Sequence, residues 1–197
     1  MTDIAQTVDG RHERRRQNIE AVVDAIYDLW LEGDLNPGAK KIAERSGVSL
    51  RSVFRYFDDL DTLVNTSIER HSSRGDHLFE ALDDSGDLED RAARLAAHRV
   101  RMHEEIHAVN LATRIRAPFY PALAAELDRR TEQMRDQVSE LFALELDAFG
   151  RTERADRIAA IEVMAGYDSA AHLRVHRGFS VERAERIIKQ SVIAILG

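Results

Sequence analysis

Two histidines one helical turn apart give the chain its most recognisable metal-binding pattern. The segment HEEIH at 103–107 matches H-E-x-x-H, in which two imidazoles share a zinc ion and the glutamate serves as general base. His172 and His176 repeat the same spacing. No third ligand can be identified for either pair, so a zinc-dependent hydrolase built on HEEIH is kept as the alternative function.

A second set of side chains points to anion binding. Arg51 and Arg55 lie four residues apart, which places both on one face of a helix. A guanidinium can read a guanine through two hydrogen bonds or neutralise a phosphate, and the sequence leaves both roles open. Four further arginines are concentrated in the run RHERRR, residues 11–16.

Charge is distributed unevenly along the chain. The 197 residues carry a formal charge of −7, which by itself disfavours nucleic acid. Residues 11–57, however, hold nine Lys or Arg against seven acids, so their net charge is +2 and the other 150 residues carry −9. Only this segment is biased towards a polyanion.

Composition bounds the protein class. There is no cysteine, which excludes thiol nucleophiles and cysteine-bound metals and favours a reducing compartment. No stretch approaches the roughly 20 apolar residues of a membrane span, and no cofactor-binding loop is present. We therefore predict a soluble, cytoplasmic protein with no membrane partner and no cofactor.

Apolar residues recur at three- and four-residue steps throughout, and no segment alternates with a period of two. The pattern predicts an all-α protein. A first helix ends near Gly33, two short helices are broken at Gly47, and a fourth runs from about Leu60 to Arg74. Four longer helices are predicted at 88–116, 121–149, 152–176 and 180–196.

Residues 39–58 fit a helix-turn-helix. Ala43 is small where two helices would cross, Gly47 permits a left-handed turn, and Val48 and Val53 close the core beneath it. Ser49 can cap the second helix. That helix would direct Leu50, Arg51, Ser52, Phe54 and Arg55 outwards, as a recognition helix presents residues to the major groove.

The segments LWLEG and KKIAERSGVSLRSVFRYFDDLDTLV together resemble the DNA-binding domain of the TetR/AcrR transcriptional regulators. The resemblance covers about residues 16–64. It implies an N-terminal three-helix DNA-binding domain and a C-terminal helical domain that binds a small molecule and dimerises. It also implies DNA contacts for Lys40, Lys41, Ser49, Leu50, Arg51, Ser52, Arg55 and Tyr56, with Tyr56 on a backbone phosphate.

Two positions depart from the family pattern. Phe54 stands where a tyrosine is common, and Leu60 stands where a lysine is common, so two phosphate contacts are lost. The basic residues 11–16 could compensate by reaching the backbone or the minor groove, or they could be a disordered tail. We divide the chain into a flexible arm at 1–15, the DNA-binding domain at 16–60, and the ligand-binding and dimerisation domain at 61–197.

The last two helices are the predicted dimer interface, because branched and small side chains suit a four-helix bundle between subunits. Packing inside one subunit is the alternative for the same residues: Ile158, Ile161, Ala165, Val175, Ala184, Ile187, Ile188, Ser191 and Ile195.

We predict that the ligand is bound by polar side chains that interrupt the apolar faces of the later helices. These groups are Arg99, His103, His107, Tyr120 and Tyr167. The predicted function is a homodimeric, ligand-responsive regulator, most simply a repressor on a palindromic operator, with no catalytic residues and no metal.

Overall fold

The computed structural model describes residues 3–197, and for residues 3–11 it describes the backbone alone. Within that part of the chain every regular element is a helix and no strand occurs, which confirms the all-α prediction. None of the described helices is long and apolar enough to span a bilayer. The first four α-helices are α1 (Asp3–Leu31), α2 (Ala39–Ser46), α3 (Leu50–Tyr56) and α4 (Leu60–Ser73). The later ones are α5 (Leu88–Arg116), α6 (Pro121–Leu141), α7 (Ala143–Leu146), α8 (Arg151–Met164), α9 (Tyr167–Ala171) and α10 (Val181–Leu196).

The chain folds into two compact units. The first runs to Arg74 and takes in Ala108–Arg116 from the end of α5. The second comprises Gly75–His107 and Ala117–Gly197. Our domain boundary after residue 60 remains a prediction, although α4 is part of the first unit in the structure.

The first unit packs α2, α3 and α4 against one face of α1. Val22, Ile26 and Leu29 of α1 are fully buried, because their spacing of three and four residues places them on one stripe. Ser67 of α4 donates a buried hydrogen bond of 2.7 Å to the carbonyl of Val23, which joins α4 to α1. This packing makes α1 the support for the short helices.

The larger apolar core of the second unit is formed by α5, α6, α7, α8 and α10, and a smaller cluster contains Leu78, Phe79 and Met102. The largest fully buried side chain of the larger core is Phe142, which follows the end of α6. Buried polar groups also join elements: Arg99 of α5 donates to Gln137 Oε1 at 2.6 Å and to the Met134 carbonyl at 3.2 Å. Gln137 in turn donates to the carbonyl of Leu78 at 3.1 Å.

Two predicted helices are interrupted in the structure. The helix predicted at 121–149 ends at Leu141, because Phe142 adopts φ −115° and ψ 26° and turns its ring into the core. The helix predicted at 152–176 breaks at Gly166, whose extended backbone caps α9 and is followed by a π-helical turn at His172–His176. A 3-10 turn at Asp76–Phe79 was not predicted.

Helix α1 begins at Asp3, so residues 14–16 lie within its continuous backbone. The flexible arm at residues 1–15 stays a prediction, and the side chain of Arg11 lies outside the described residues.

Candidate nucleic-acid interface

Helices α2 and α3 are joined by a tight turn of the predicted kind. Gly47 follows α2 with φ +70°, a left-handed conformation that glycine adopts without steric cost. Ile42 and Ala43 on α2, with Val48 in the turn, are buried beneath it. The turn therefore holds the two helices in a fixed relation through apolar contacts.

The start of α3 is capped by Ser49. Its Oγ accepts a hydrogen bond of 3.3 Å from the amide of Ser52, which satisfies one of the amides left free at a helix start. Val53 is buried, and Phe57 after the helix is buried too. This orientation confirms the predicted inward face of α3.

The opposite face of α3 is exposed to solvent. Leu50 is 42% exposed and Phe54 is 51% exposed, although both are apolar. Arg51 and Arg55 are exposed beside them, and Ser52 is half-buried. An exposed face with cationic and apolar side chains can contact phosphates, base edges and thymine methyl groups.

The two arginines of α3 have different surroundings. Among the described side chains, no ion pair or hydrogen bond engages Arg51. Arg55 donates to Tyr56 Oη at 3.1 Å, and its guanidinium lies 5.1 Å from the centroid of the Tyr56 ring. Arg55 also donates to Ser52 Oγ at 3.4 Å, so its guanidinium is held by side chains of its own helix, whereas Arg51 is directed to solvent.

Tyr56 is linked to α1. Asn18 Nδ2 donates to Tyr56 Oη at 3.1 Å. The hydrogen bonds from Asn18 and then from Arg55 lower the pKa of the Tyr56 hydroxyl, because both stabilise the phenolate. Sequence reasoning missed Asn18, since nothing local signals a contact across 38 residues.

The two lysines at the start of α2 are both exposed. Lys40 Nζ lies 3.9 Å from Glu44, a weak contact at the surface. Lys41 Nζ donates to Asp34 Oδ2 at 2.6 Å, and this bond lowers the pKa of Asp34. Lys41 must release or share this carboxylate to contact a phosphate.

A second cluster lies in the other unit and contains three of the predicted ligand contacts. Tyr167 Oη lies 2.7 Å from His107 Nδ1, and the rings of His103 and His107 are 4.7 Å apart. Burial lowers the pKa of His103 to about 4, helped by the neighbouring His107. Burial also lowers the pKa of His107. Both imidazoles are therefore neutral near pH 7, and His103 Nδ1 is buried without a hydrogen-bond partner.

The other two predicted ligand contacts lie in different surroundings. Arg99 is buried and bonded to Gln137 and to the Met134 carbonyl, so its donors serve the packing of α5 on α6. Burial lowers the pKa of Arg99 to about 10, which leaves it charged at neutral pH. Tyr120 is half-buried at the N-cap of α6, and its neighbour Phe119 is 78% exposed.

The geometry gives no support to the hydrolase alternative. Among the described residues, no three His, Asp or Glu side chains converge as metal ligands. Nδ1 of His107 is hydrogen-bonded to the hydroxyl of Tyr167. The carboxylate of Glu104, the glutamate of the motif, accepts a hydrogen bond of 2.6 Å from Arg174. The rings of His172 and His176 are 6.0 Å apart in the π-helical turn.

The predicted dimer interface is corrected in part. Ile161, Ala165, Ala184 and Ile188 are buried in the core of their own chain, so the alternative of internal packing applies to them. Val175 is exposed, and the other four residues are half-buried. Those four are Ile158, Ile187, Ser191 and Ile195.

Helix α8 adds an exposed apolar stripe that sequence reasoning missed. Ala155, Ala159 and Val163 follow each other at four-residue steps on its outer face, and Val163 is 69% exposed. Small side chains at this spacing allow close approach of another helix.

The fold was compared with known proteins. Neither a protein-family model nor a curated protein matches this sequence. Among the solved structures that match, three do so over most of their length. A transcriptional regulator from Rhodococcus sp. Rha1 has 18% sequence identity and a TM-score of 0.66, with 90% of this chain and 95% of that chain covered.

The other two structures are assigned to the TetR family of transcriptional regulators. The one from Mesorhizobium loti has 20% identity and a TM-score of 0.60, with coverage of 93% and 96%. The one from Rhodococcus sp. has 17% identity and a TM-score of 0.60, with coverage of 94% and 100%. The chain therefore has the all-α fold of these transcriptional regulators, as the resemblance implied.

Proposed function

We propose that the chain is a TetR-family transcriptional regulator that binds double-stranded DNA and is not an enzyme. The observation that carries the proposal is the outer face of α3, where Arg51 and Arg55 are exposed on a helix capped by Ser49. Exposed Leu50 and Phe54 add apolar contacts suited to base edges. The shared fold supports the same function.

We infer further that the protein acts as a homodimer on a palindromic operator. One recognition helix makes few contacts, whereas two related by a two-fold axis can enter successive major grooves about 34 Å apart. The exposed stripe of α8 (Ala155, Ala159 and Val163) and the half-buried Ile187 and Ser191 of α10 supply a surface for the partner subunit.

The His103, His107 and Tyr167 cluster is our candidate for the effector site. Its histidines are neutral near pH 7, and His103 Nδ1 offers a buried hydrogen-bonding atom without a partner. Some dimer conformations separate the two recognition helices by a distance that does not fit DNA. An effector that binds such a conformation more tightly would shift the population away from the DNA-competent state. Repression relieved by the effector is the simplest output of this design.

The DNA-binding proposal is tested with genomic fragments selected by the purified protein. Arg51→Gln is expected to weaken binding of a selected fragment by ~10-fold or more, because it removes a contact to bases or phosphate. Arg45→Gln is the matched control, since it removes the same charge from a side chain already bonded to Glu32 at 2.6 Å. Equal affinities for Arg51→Gln and wild type would remove α3 from its proposed role.

A further inference from the structure

Arg99 of α5 is a buried cation whose three hydrogen bonds all go to neutral acceptors. Two are the Gln137 side chain and the Met134 carbonyl, and the third is His98 Nδ1 at 3.0 Å. Burial and then the charge of Arg99 lower the pKa of His98 to about 4, so this imidazole is neutral near pH 7. Among the described side chains, no Asp or Glu forms an ion pair with Arg99. Since an unpaired buried charge is costly, this arrangement favours an anionic partner.

A second buried arginine on the same helix provides a contrast. Arg91 and Arg99 are both 4% exposed. Arg91 donates to the carboxylate of Glu145 and, at 3.1 Å, to the Gly86 carbonyl. Burial lowers the pKa of Arg99 to about 10, and no carboxylate among the described residues opposes that effect. The contrast indicates that the counter-charge of Arg99 comes from outside the chain.

The guanidinium of Arg99 retains donors for an anion. An arginine has five N–H groups, and the hydrogen bonds of Arg99 use both from Nη1 and one from Nη2. Within the part of the chain that the structure describes, Nε–H and the second N–H of Nη2 have no acceptor. Nε and Nη2 share one edge of the guanidinium, and such a fork of N–H groups pairs with both oxygens of a carboxylate.

The side chains beside Arg99 are apolar or neutral. Met102, His103 and Ile106 follow it at steps of three, four and seven residues, which places them on the same face of α5. Met102 belongs to the smaller apolar cluster of this unit, and Ile106 and Met134 pack against that cluster. His103 adds a buried Nδ1 without a hydrogen-bond partner. Methionine side chains adapt to varied apolar shapes, so this surface suits a ligand with an apolar body.

We propose that the effector is an organic acid, with its carboxylate bound by Arg99 and its apolar body held by Met102, Ile106 and Met134. The proposal rests on the proposed effector response and deepens it, because it names the class of ligand and extends the candidate site from His103 to Arg99, one turn earlier. The guanidinium would repel a cationic ligand, and a neutral ligand would leave the buried charge uncompensated.

Arg99 is also linked to the segment that follows α4. Gln137 accepts from Arg99 and donates through Nε2 to the carbonyls of Leu78 and Glu80. Helix α4 ends at Ser73, shortly before this segment. A carboxylate that draws the guanidinium towards itself weakens the bond to Gln137, and Gln137 anchors both carbonyls. The ligand therefore acts on the part of the chain that leads away from α4.

Calorimetric titration of the wild-type protein without DNA tests the charge of the ligand. Octanoate, octanamide and octylamine share one chain length and are respectively anionic, neutral and cationic near pH 7. We expect octanoate to bind at least ~10-fold more tightly than octanamide, because its hydrogen bonds with Arg99 are charge-assisted. Octylamine should give no measurable binding. Hexanoate lacks two methylene groups and should bind ~10-fold more weakly than octanoate.

Arg99→Met removes the charge and keeps a long apolar side chain. We expect this variant to bind octanoate and octanamide with equal affinity. Arg101→Met is the matched control, because it removes the same charge from an exposed position of the same helix, 3.7 Å from Glu105. The control should keep the wild-type preference for octanoate. Circular dichroism shows which variants are folded, and the comparison of ligands on wild-type protein decides the question if Arg99→Met does not fold.

Equal binding of octanoate and octanamide by wild-type protein, or binding of neither, would overturn the proposal. So would a folded Arg99→Met variant that still prefers octanoate. Acetate that binds as tightly as octanoate would contradict the apolar part of the site. Octanoate should also release the protein from a selected operator, and unchanged operator affinity would contradict its role as effector. The proposed function itself would fail differently, through wild-type protein that binds no duplex, because the titrations contain no DNA.

Discussion

At the scale of single residues, burial decides the behaviour of His71. Its ring stacks on Tyr27 with centroids 4.1 Å apart, and neither ring nitrogen has a hydrogen bond. Burial and then the charge of Arg74 lower the pKa of His71 to about 4, against the opposing influence of Asp24 at 3.5 Å. The first unit therefore requires a neutral imidazole at this position.

The pH dependence of stability follows from that pKa. The unfolded chain protonates His71 near pH 6.5 while the folded chain does so near 4, so stability is complete above pH 6.5 and is lost as pH falls towards 4. We expect the first unit to lose about 2 kcal/mol through His71 between about pH 7.5 and about pH 5. Urea unfolding followed by fluorescence of Trp30, the single tryptophan, measures this unit.

His71→Phe is the informative variant, because it keeps a ring for Tyr27 and removes the titration. It should flatten the pH dependence of the Trp30 transition over this interval. Identical pH dependence in variant and wild type would mean that folding leaves the pKa of His71 unchanged.

At the scale of elements, the junction between α8 and α9 depends on space at one glycine. A Cβ added to Gly166 would lie 2.5 Å from the carbonyl oxygen of Glu162, closer than any real contact. Gly150 caps α8 with a similar extended backbone, yet a Cβ there meets nothing within 4 Å. The two caps therefore form a matched pair.

We expect Gly166→Ala to destabilise the second unit by about 1–3 kcal/mol, because backbone must shift to admit the methyl group. Gly150→Ala should change stability by less than about 1 kcal/mol. Urea unfolding followed by far-UV circular dichroism compares them, and equal losses would show that the break at Gly166 is not set by crowding.

At the scale of the whole molecule, DNA affinity depends on a second subunit. Ile187 is half-buried on α10 and stands outside the core cluster of its unit, so it is available to a partner. We expect Ile187→Arg to yield a monomer in sedimentation velocity and to lower operator affinity at least ~100-fold, because the gain from two linked contacts is lost.

Leu144→Arg provides the control for the dimer. Leu144 is 77% exposed on α7, so an arginine there is tolerated without loss of packing. We expect this variant to remain dimeric and to bind the operator like wild type. A dimeric Ile187→Arg variant would place the interface elsewhere on the chain.

The turn between α2 and α3 was predictable because its determinants are local. Gly47 supplies the left-handed backbone, and Ser49 caps the next helix three residues from its donor. The outward direction of Arg51 follows from helical periodicity once Val53 is placed inside. The same local rules failed at Phe142 and Gly166, where packing in the core overrides a helical pattern that continues past both residues.

The all-α class, the short helices at residues 39–56 and the solvent-facing side of α3 were predictable, since they depend on spacing along the chain. The contacts of Asn18 and Arg15 of α1 with Tyr56, and of His107 with Tyr167, emerge only in the folded chain. These partners lie tens of residues apart, and no rule of local spacing encodes the packing that brings their helices together. The same packing buries Ile161 and Ile188 in the core of their own chain and leaves Ala159 and Val163 exposed. A helix with apolar residues on several sides can bury only the side that its neighbours cover.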